Sequence, residues 1–184
     1  MTKKYSKSNV LSLLEKLDQK LEERVEIVAI GGTALSLSGE REYSKDIDIC
    51  YIDYSSPPDF ARAIVEAGKE VGIASKDIEM FHGFEMSLLD IPRFSERAIT
   101  YTPSSFKNII LKIMHPADII LSKIYRGELK DIDDVKKLLD DKIITVQELQ
   151  RRFIDVVRNQ KDFGVRKEFV HKYELFIKTY QKEK

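Results

Sequence analysis

The chain has 184 residues, 42% of them hydrophobic, with 31 basic residues balanced by 31 acidic ones, no Trp and one Cys. That size and apolar content suit one globular domain with a helical extension and exclude a low-complexity or disordered chain. No apolar run approaches the ~20 residues that cross a bilayer, and Met1-Thr2-Lys3-Lys4-Tyr5 carries no apolar signal core, so no membrane partner and a cytoplasmic location are expected.

Residues 8–23 read as an amphipathic helix, with Leu11, Leu14, Leu17 and Leu21 recurring at spacings of three and four. The apolar run Val25-Glu26-Ile27-Val28-Ala29-Ile30 predicts a first strand, which runs into Gly31-Gly32-Thr33 and the small-residue segment Ala34-Leu35-Ser36-Leu37. A second strand over 46–52 opens with Asp46-Ile47-Asp48, aspartates on one face and isoleucine on the other. Ser55-Ser56-Pro57-Pro58 breaks the chain before a helix over 59–68, and Asp77-Ile78-Glu79-Met80-Phe81 reads as a third strand. Gly83 and Pro92 argue against one continuous element over 82–101. A strand over 108–114 is bounded by His115-Pro116, and helices follow over 116–127, 131–140, 145–158 and 164–181. The pattern predicts an α/β (α+β) fold with an all-helical C-terminal region. Residues 1–140 are expected to form the core unit, with 141–184 as a helical extension packed on it.

The chemistry concentrates early in the chain. Residues i and i+2 of a strand share a face about 6–7 Å apart, so Asp46 and Asp48 make a carboxylate pair able to hold a hard divalent cation. Paired glycines let backbone approach phosphate oxygens closely, with helix-start N–H groups aimed at the anion. A phosphate cradle beside an acid pair points to phosphoryl or nucleotidyl transfer. Each feature also has a plain structural reading: the polar face of a half-buried strand, and a tight strand-to-helix turn. Glu79 flips outward between Ile78 and Met80. Lys123 can be a surface lysine, and Asp131 is placed to N-cap the helix that contains Val135, Leu138 and Leu139. Cys50, inside the second strand, reads as a buried structural thiol. His82, His115 and His171 lack zinc-site spacing, and no nucleotide-loop, nucleophile-elbow or paired-cysteine motif is present. Basic residues gather in the last third, including Arg151, Arg152, Arg158, Lys161, Arg166 and Lys167. They fit either a nucleic-acid backbone surface or a solvated helix face of mixed charge.

Gly31-Gly32-Thr33 with Asp46-Ile47-Asp48, followed by Pro116-Ala117-Asp118-Ile119-Ile120-Leu121-Ser122-Lys123 and Lys130-Asp131-Ile132-Asp133-Asp134-Val135, resembles the DNA polymerase β-like nucleotidyltransferase superfamily in its minimal, AbiEii-toxin-like branch. The resemblance covers about residues 25–140, in the expected order. It departs from the more usual Gly-Ser at the turn, and from the Asp more often found where Glu79 stands. It implies a small mixed-sheet nucleotidyltransferase core flanked by helices, and transfer of a nucleoside monophosphate from an NTP to an acceptor hydroxyl. It further implies Mg²⁺ (or Mn²⁺) held by Asp46 and Asp48, with Glu79 as a third ligand. Gly31, Gly32 and Thr33 would hold the triphosphate, Thr33 through its hydroxyl and N–H, and Lys123 would balance its charge. Lys130, Asp131 and Asp134 would belong to the active site, with a carboxylate there deprotonating the acceptor. The toxin branch implies tRNA or another RNA as acceptor and a cognate antitoxin as partner. Two other readings stay open: a non-catalytic nucleotide- or RNA-binding relative of the same fold, and a protein-interaction module acting through the helical tail.

Overall fold

Apolar residues alternating with polar ones build a mixed sheet in the first part of the chain, and four amphipathic helices make up the rest. The computed structural model describes residues 4–51, 59–82, 93–101, 103 and 105–183. Its elements are β1 (Tyr5–Ser6), α1 (Lys7–Asp18), β2 (Val25–Ala29), α2 (Gly31–Ser38), β3 (Tyr43–Ser44), β4 (Ile47–Tyr51) and α3 (Phe60–Glu70). A 3-10 turn (Ser75–Asp77) leads into β5 (Ile78–His82), then α4 (Phe94–Arg97), β6 (Ile99–Thr100) and β7 (Ile109–Ile113). The last four are α5 (Pro116–Arg126), α6 (Leu129–Asp140), α7 (Val146–Asn159) and α8 (Phe163–Lys182). The break expected at 55–58, and residues 83–92 of the ambiguous stretch, lie outside the described residues. No described helix is long and apolar enough to cross a membrane.

The chain divides into two compact units, one holding every strand with α1–α3, the other holding α5–α8. In the first, five strands lie in the order β5-β4-β2-β7-β6. The pairs β4–β5 and β2–β7 are parallel, while β2–β4 and β6–β7 are antiparallel, so the sheet is mixed. Register places Ile27, Leu111 and Ile49 on one buried face. Asp48, Cys50 and Glu79 alternate to the other face. β1 and β3 form a separate antiparallel pair with Tyr5 opposite Ser44. α1 starts in a capping box between Ser6 and Asn9 and buries Val10, Leu13, Leu14 and Leu17; of the predicted stripe, Leu14, Leu17 and Leu21 are buried, while Leu11 is only half-buried. It stops at Asp18, short of residue 23, and the buried Asp18 carboxylate accepts backbone N–H bonds from Asn108 and Ile109, both at 2.7 Å. Cys50 is fully buried, and burial pushes its thiol up to about 12, the inert state its strand position predicts.

In the second unit α5 packs against α6, α7 and α8. Phe153 stacks on Tyr173 with ring centroids 3.7 Å apart, and Phe169 tilts against Phe153 at 5.1 Å. A capping box between Thr145 and Glu148 starts α7. The division falls after Met114 and not near residue 140. α5 and α6 bury their apolar faces, including Ile120, Ile124, Val135 and Leu138, in the same helical unit as the tail.

Candidate functional site

β2 delivers the chain into α2 through Ile30, whose N–H bonds the Asp48 carbonyl at 3.1 Å. Gly31 then adopts a left-handed φ of +54°, and a Cβ there would stand 3.0 Å from Asp48 Oδ2. Both facts demand glycine. A Cβ on Gly32 would stand 2.7 Å from Ser44 Oγ, so the second glycine lets β3 close onto the turn. Ile30, the N-cap of α2, makes no side-chain cap, so no cap side chain takes up the first-turn N–H groups. Thr33 is fully buried. Its hydroxyl donates to the Asp46 carbonyl at 3.1 Å and accepts from the Asp48 N–H at 2.9 Å. The phosphate contact expected of that hydroxyl is therefore corrected: its bonds tie α2 to the backbone of the acid-bearing segment.

Asp48 pairs in register with Glu79 across the parallel β4–β5 ladder, so the two side chains stand side by side on strands about 4.8 Å apart. Asp46 and Asp48 are half-buried and Glu79 is exposed. One residue before the first paired positions, Ile47 and Ile78, lie Asp46 and Asp77. Tyr5 donates to Asp77 Oδ2 at 2.5 Å. Its phenol is pushed up to about 12, first by burial, then by that hydrogen bond and the negative charges of Asp77 and Asp46. Among the described residues no group of three or more His, Cys, Asp and Glu stands close enough to hold a metal.

The helical unit gathers a different set. Lys123, 5% exposed, donates to Asp131 Oδ1 at 3.0 Å and to Asp134 Oδ2 at 2.8 Å. Arg126 adds a two-pronged contact to Asp131, Nε at 2.5 Å and Nη2 at 2.6 Å. Burial pushes the Asp131 carboxyl up, but its hydrogen bonds from Arg126 and Lys123 and their positive charges outweigh this and hold it below the usual carboxylate range. The cap expected of Asp131 is corrected: α6 begins at Leu129 with Glu128 as N-cap, and Asp131 lies inside the first turn. Its fully buried carboxylate is claimed by α5. Asp118, also fully buried, takes Arg152 Nε at 2.5 Å, and Arg152 further bonds Asp155. Arg152 is thus an internal ion-pair partner and not part of a solvated basic face.

A family model described as "Nucleotidyltransferase of unknown function (DUF6036)" matches residues 8–181. The chain belongs to this family. No curated protein matches it. As a member of a nucleotidyltransferase family, the chain is assigned to nucleotidyl transfer with a nucleotide as substrate.

In this member of the family, Gly31, Gly32, Thr33, Asp46, Asp48 and Glu79 share the sheet unit, with Gly31 against Asp48 and Asp48 beside Glu79. Lys123, Asp131 and Asp134 share the helical unit, while Lys130 stands apart from them, exposed and 2.9 Å from Glu128. Sequence reasoning passed over Tyr5, Ser44 and Asp77. Asp77 had a signal, since it precedes Glu79 by two in the same segment. Tyr5 and Ser44 had none, because two-residue strands leave no periodicity to read.

Proposed function

We propose that the chain moves a nucleoside monophosphate from an NTP to an acceptor hydroxyl, with Mg²⁺ or Mn²⁺ held by Asp46 and Asp48 and by Glu79 as third ligand. One observation carries this reading: the Asp48 carboxylate lies against the Cβ-less Gly31 at the start of α2 while standing in register with Glu79. The donors suit the ion, because Mg²⁺ prefers hard carboxylate oxygens. When bound, it supplies positive charge to the triphosphate and to the attacking and leaving oxygens. The uncapped first turn of α2 offers its N–H groups to the triphosphate. Thr33 acts at one remove, fixing that turn to the backbone of Asp46 and Asp48. In the transfer the acceptor oxygen bonds the α-phosphorus, the bond to pyrophosphate breaks and the hydroxyl proton passes to a base.

The helical unit is given a narrower part than the resemblance implies. A carboxyl held low by two cations is a poor base, so Asp131 is left as a tie between α5 and α6, with Lys123 and Arg126 as its partners. Asp134, 23% exposed and itself bonded by Lys123 at 2.8 Å, is a candidate base on the resemblance alone. Lys130, held by Glu128, stays outside the network. An RNA acceptor such as tRNA, and an antitoxin partner, rest on the resemblance to the toxin-like branch alone.

The experiment is transfer of label from each NTP, radiolabelled at the α-phosphate, to total tRNA and to the protein itself, with Mg²⁺ or Mn²⁺. Wild type is run beside Asp46→Asn/Asp48→Asn. Transfer by the wild type should fall by about a hundredfold or more in the variant, a barrier increase of about 3 kcal/mol. The second reading, a non-catalytic nucleotide- or RNA-binding relative, is favoured by the absence of a preformed three-acid group among the described residues. Metal-dependent NTP binding without transfer to any acceptor would select it.

A further inference from the structure

Arg158, Lys161, Arg166 and Lys167 flank the turn from α7 to α8, and Asp162 is the one acid among residues 158–167. Arg158, Lys161 and Lys167 are exposed, and among the described residues no carboxylate pairs with them. The neighbouring acids are already engaged. Asp155 bonds Arg152, Glu168 bonds Lys172 at 2.7 Å, and the Asp162 carboxylate caps α8 by accepting the Val165 N–H at 2.8 Å. A cluster left this positive attracts a polyanion.

An aromatic ring lies within the cluster. Phe163 opens α8 and is 69% exposed. Residues three and four positions further on share its helix face, which puts Arg166 and Lys167 beside it. The Arg166 guanidinium carbon lies 5.6 Å from the ring centre, a cation–π contact that steadies the ring. An acidic peptide would satisfy the cations and leave the ring in water. A nucleotide satisfies both, because its base stacks on the ring while its phosphates meet the charges. Only an unpaired base exposes its face, and RNA is the nucleic acid whose loops and ends ordinarily present one.

We propose that the α7–α8 turn docks an unpaired segment of RNA, with a base stacked on Phe163 and the flanking phosphates held by Arg158, Lys161 and Lys167. The inference concerns binding and rests on neither the metal nor the transfer reading above.

The test is fluorescence anisotropy of the full chain with a labelled single-stranded RNA of mixed sequence, about 12 nucleotides long. Phe163→Leu keeps apolar bulk without a ring and should weaken binding about tenfold, whereas Phe163→Tyr should stay within about twofold of wild type. Phe163 is mostly in water, so neither change disturbs the helical core. Lys161→Gln/Lys167→Gln should weaken binding and flatten the slope of log affinity against log salt by about one unit. Lys178→Gln/Lys182→Gln removes the same charge from the far end of α8 and should stay within about twofold of wild type. Equal losses in the two lysine pairs would mean that binding follows net charge, and that result overturns the proposal. So does unchanged affinity in Phe163→Leu, equally tight binding of a duplex RNA of the same length, or no binding by the wild type. Polyglutamate should displace the RNA poorly. If it competes as well as unlabelled RNA, the turn suits an acidic protein segment and the proposal falls.

Discussion

In the sheet unit Asp46 and Asp48 are half-buried and Glu79 is exposed, whereas in the helical unit Asp118 and Asp131 are wholly buried and each faces a guanidinium. The difference follows from the cost of desolvation. A carboxylate taken fully out of water must be paired where it stands, so Arg152 and Arg126 belong to the fold. A carboxylate that keeps part of its hydration can exchange water for a cation at modest cost, which is what a substrate-bound metal requires. Acids that look alike in the sequence therefore divide by burial into ties and candidate ligands.

Breaking a tie should have the largest effect. Asp118→Ala removes the wholly buried carboxylate that pairs with the buried Arg152 guanidinium and should cost about 3 kcal/mol of stability by denaturant unfolding. A loss below about 1 kcal/mol would mean that the pair contributes little and that the contrast between the units is overstated. Gly31→Ala comes next. A non-glycine residue at φ +54° costs roughly 1–2 kcal/mol, and the new Cβ also presses on Asp48. Stability and nucleotide transfer should fall together, and an intact transfer rate would separate the turn from the site.

Asp46→Asn/Asp48→Asn should change the unfolding free energy by less than about 1 kcal/mol, since these acids are only half-buried. A much larger loss would make the pair structural. The last difference is one of slope with pH, read on top of whatever breaking the Asp131 tie costs near neutrality. The Asp131 pKa is depressed in the folded state, so its contribution is present above its unfolded value, about 3.9. That contribution is lost as pH falls through the folded value. In Asp131→Asn the fall in stability below about pH 4 should be shallower than in wild type. Equal slopes in an acid titration followed by circular dichroism would show that Asp131 is not a source of the pH dependence.

Much of the fold was legible because long elements write their period into the chain. The predicted strands near 25–30 and 108–114 appear as β2 and β7 to within a residue, and the four late helices lie close to their predicted spans. What escaped was short or non-local. β1, β3 and β6 have two residues each, too few for a pattern, and they form only because a partner strand is present. α2 begins at Gly31 itself, where two glycines read as a turn. Their need for a missing Cβ is visible only against Asp48 and Ser44.

The candidate site divides the same way. The sequence by itself placed Asp48 in a strand after a glycine turn, with Asp46 one residue before the strand begins, and Glu79 outward on another, because a strand's period of two is local. Family membership over residues 8–181 agrees with nucleotidyl transfer. Only the tertiary structure decided that Glu79 stands beside Asp48, that the Thr33 hydroxyl is spent on the backbone of β4, and that Lys123 and Asp131 are bound to each other. Those outcomes depend on strand register and helix packing, which bring distant residues together and fix how much water each charge keeps.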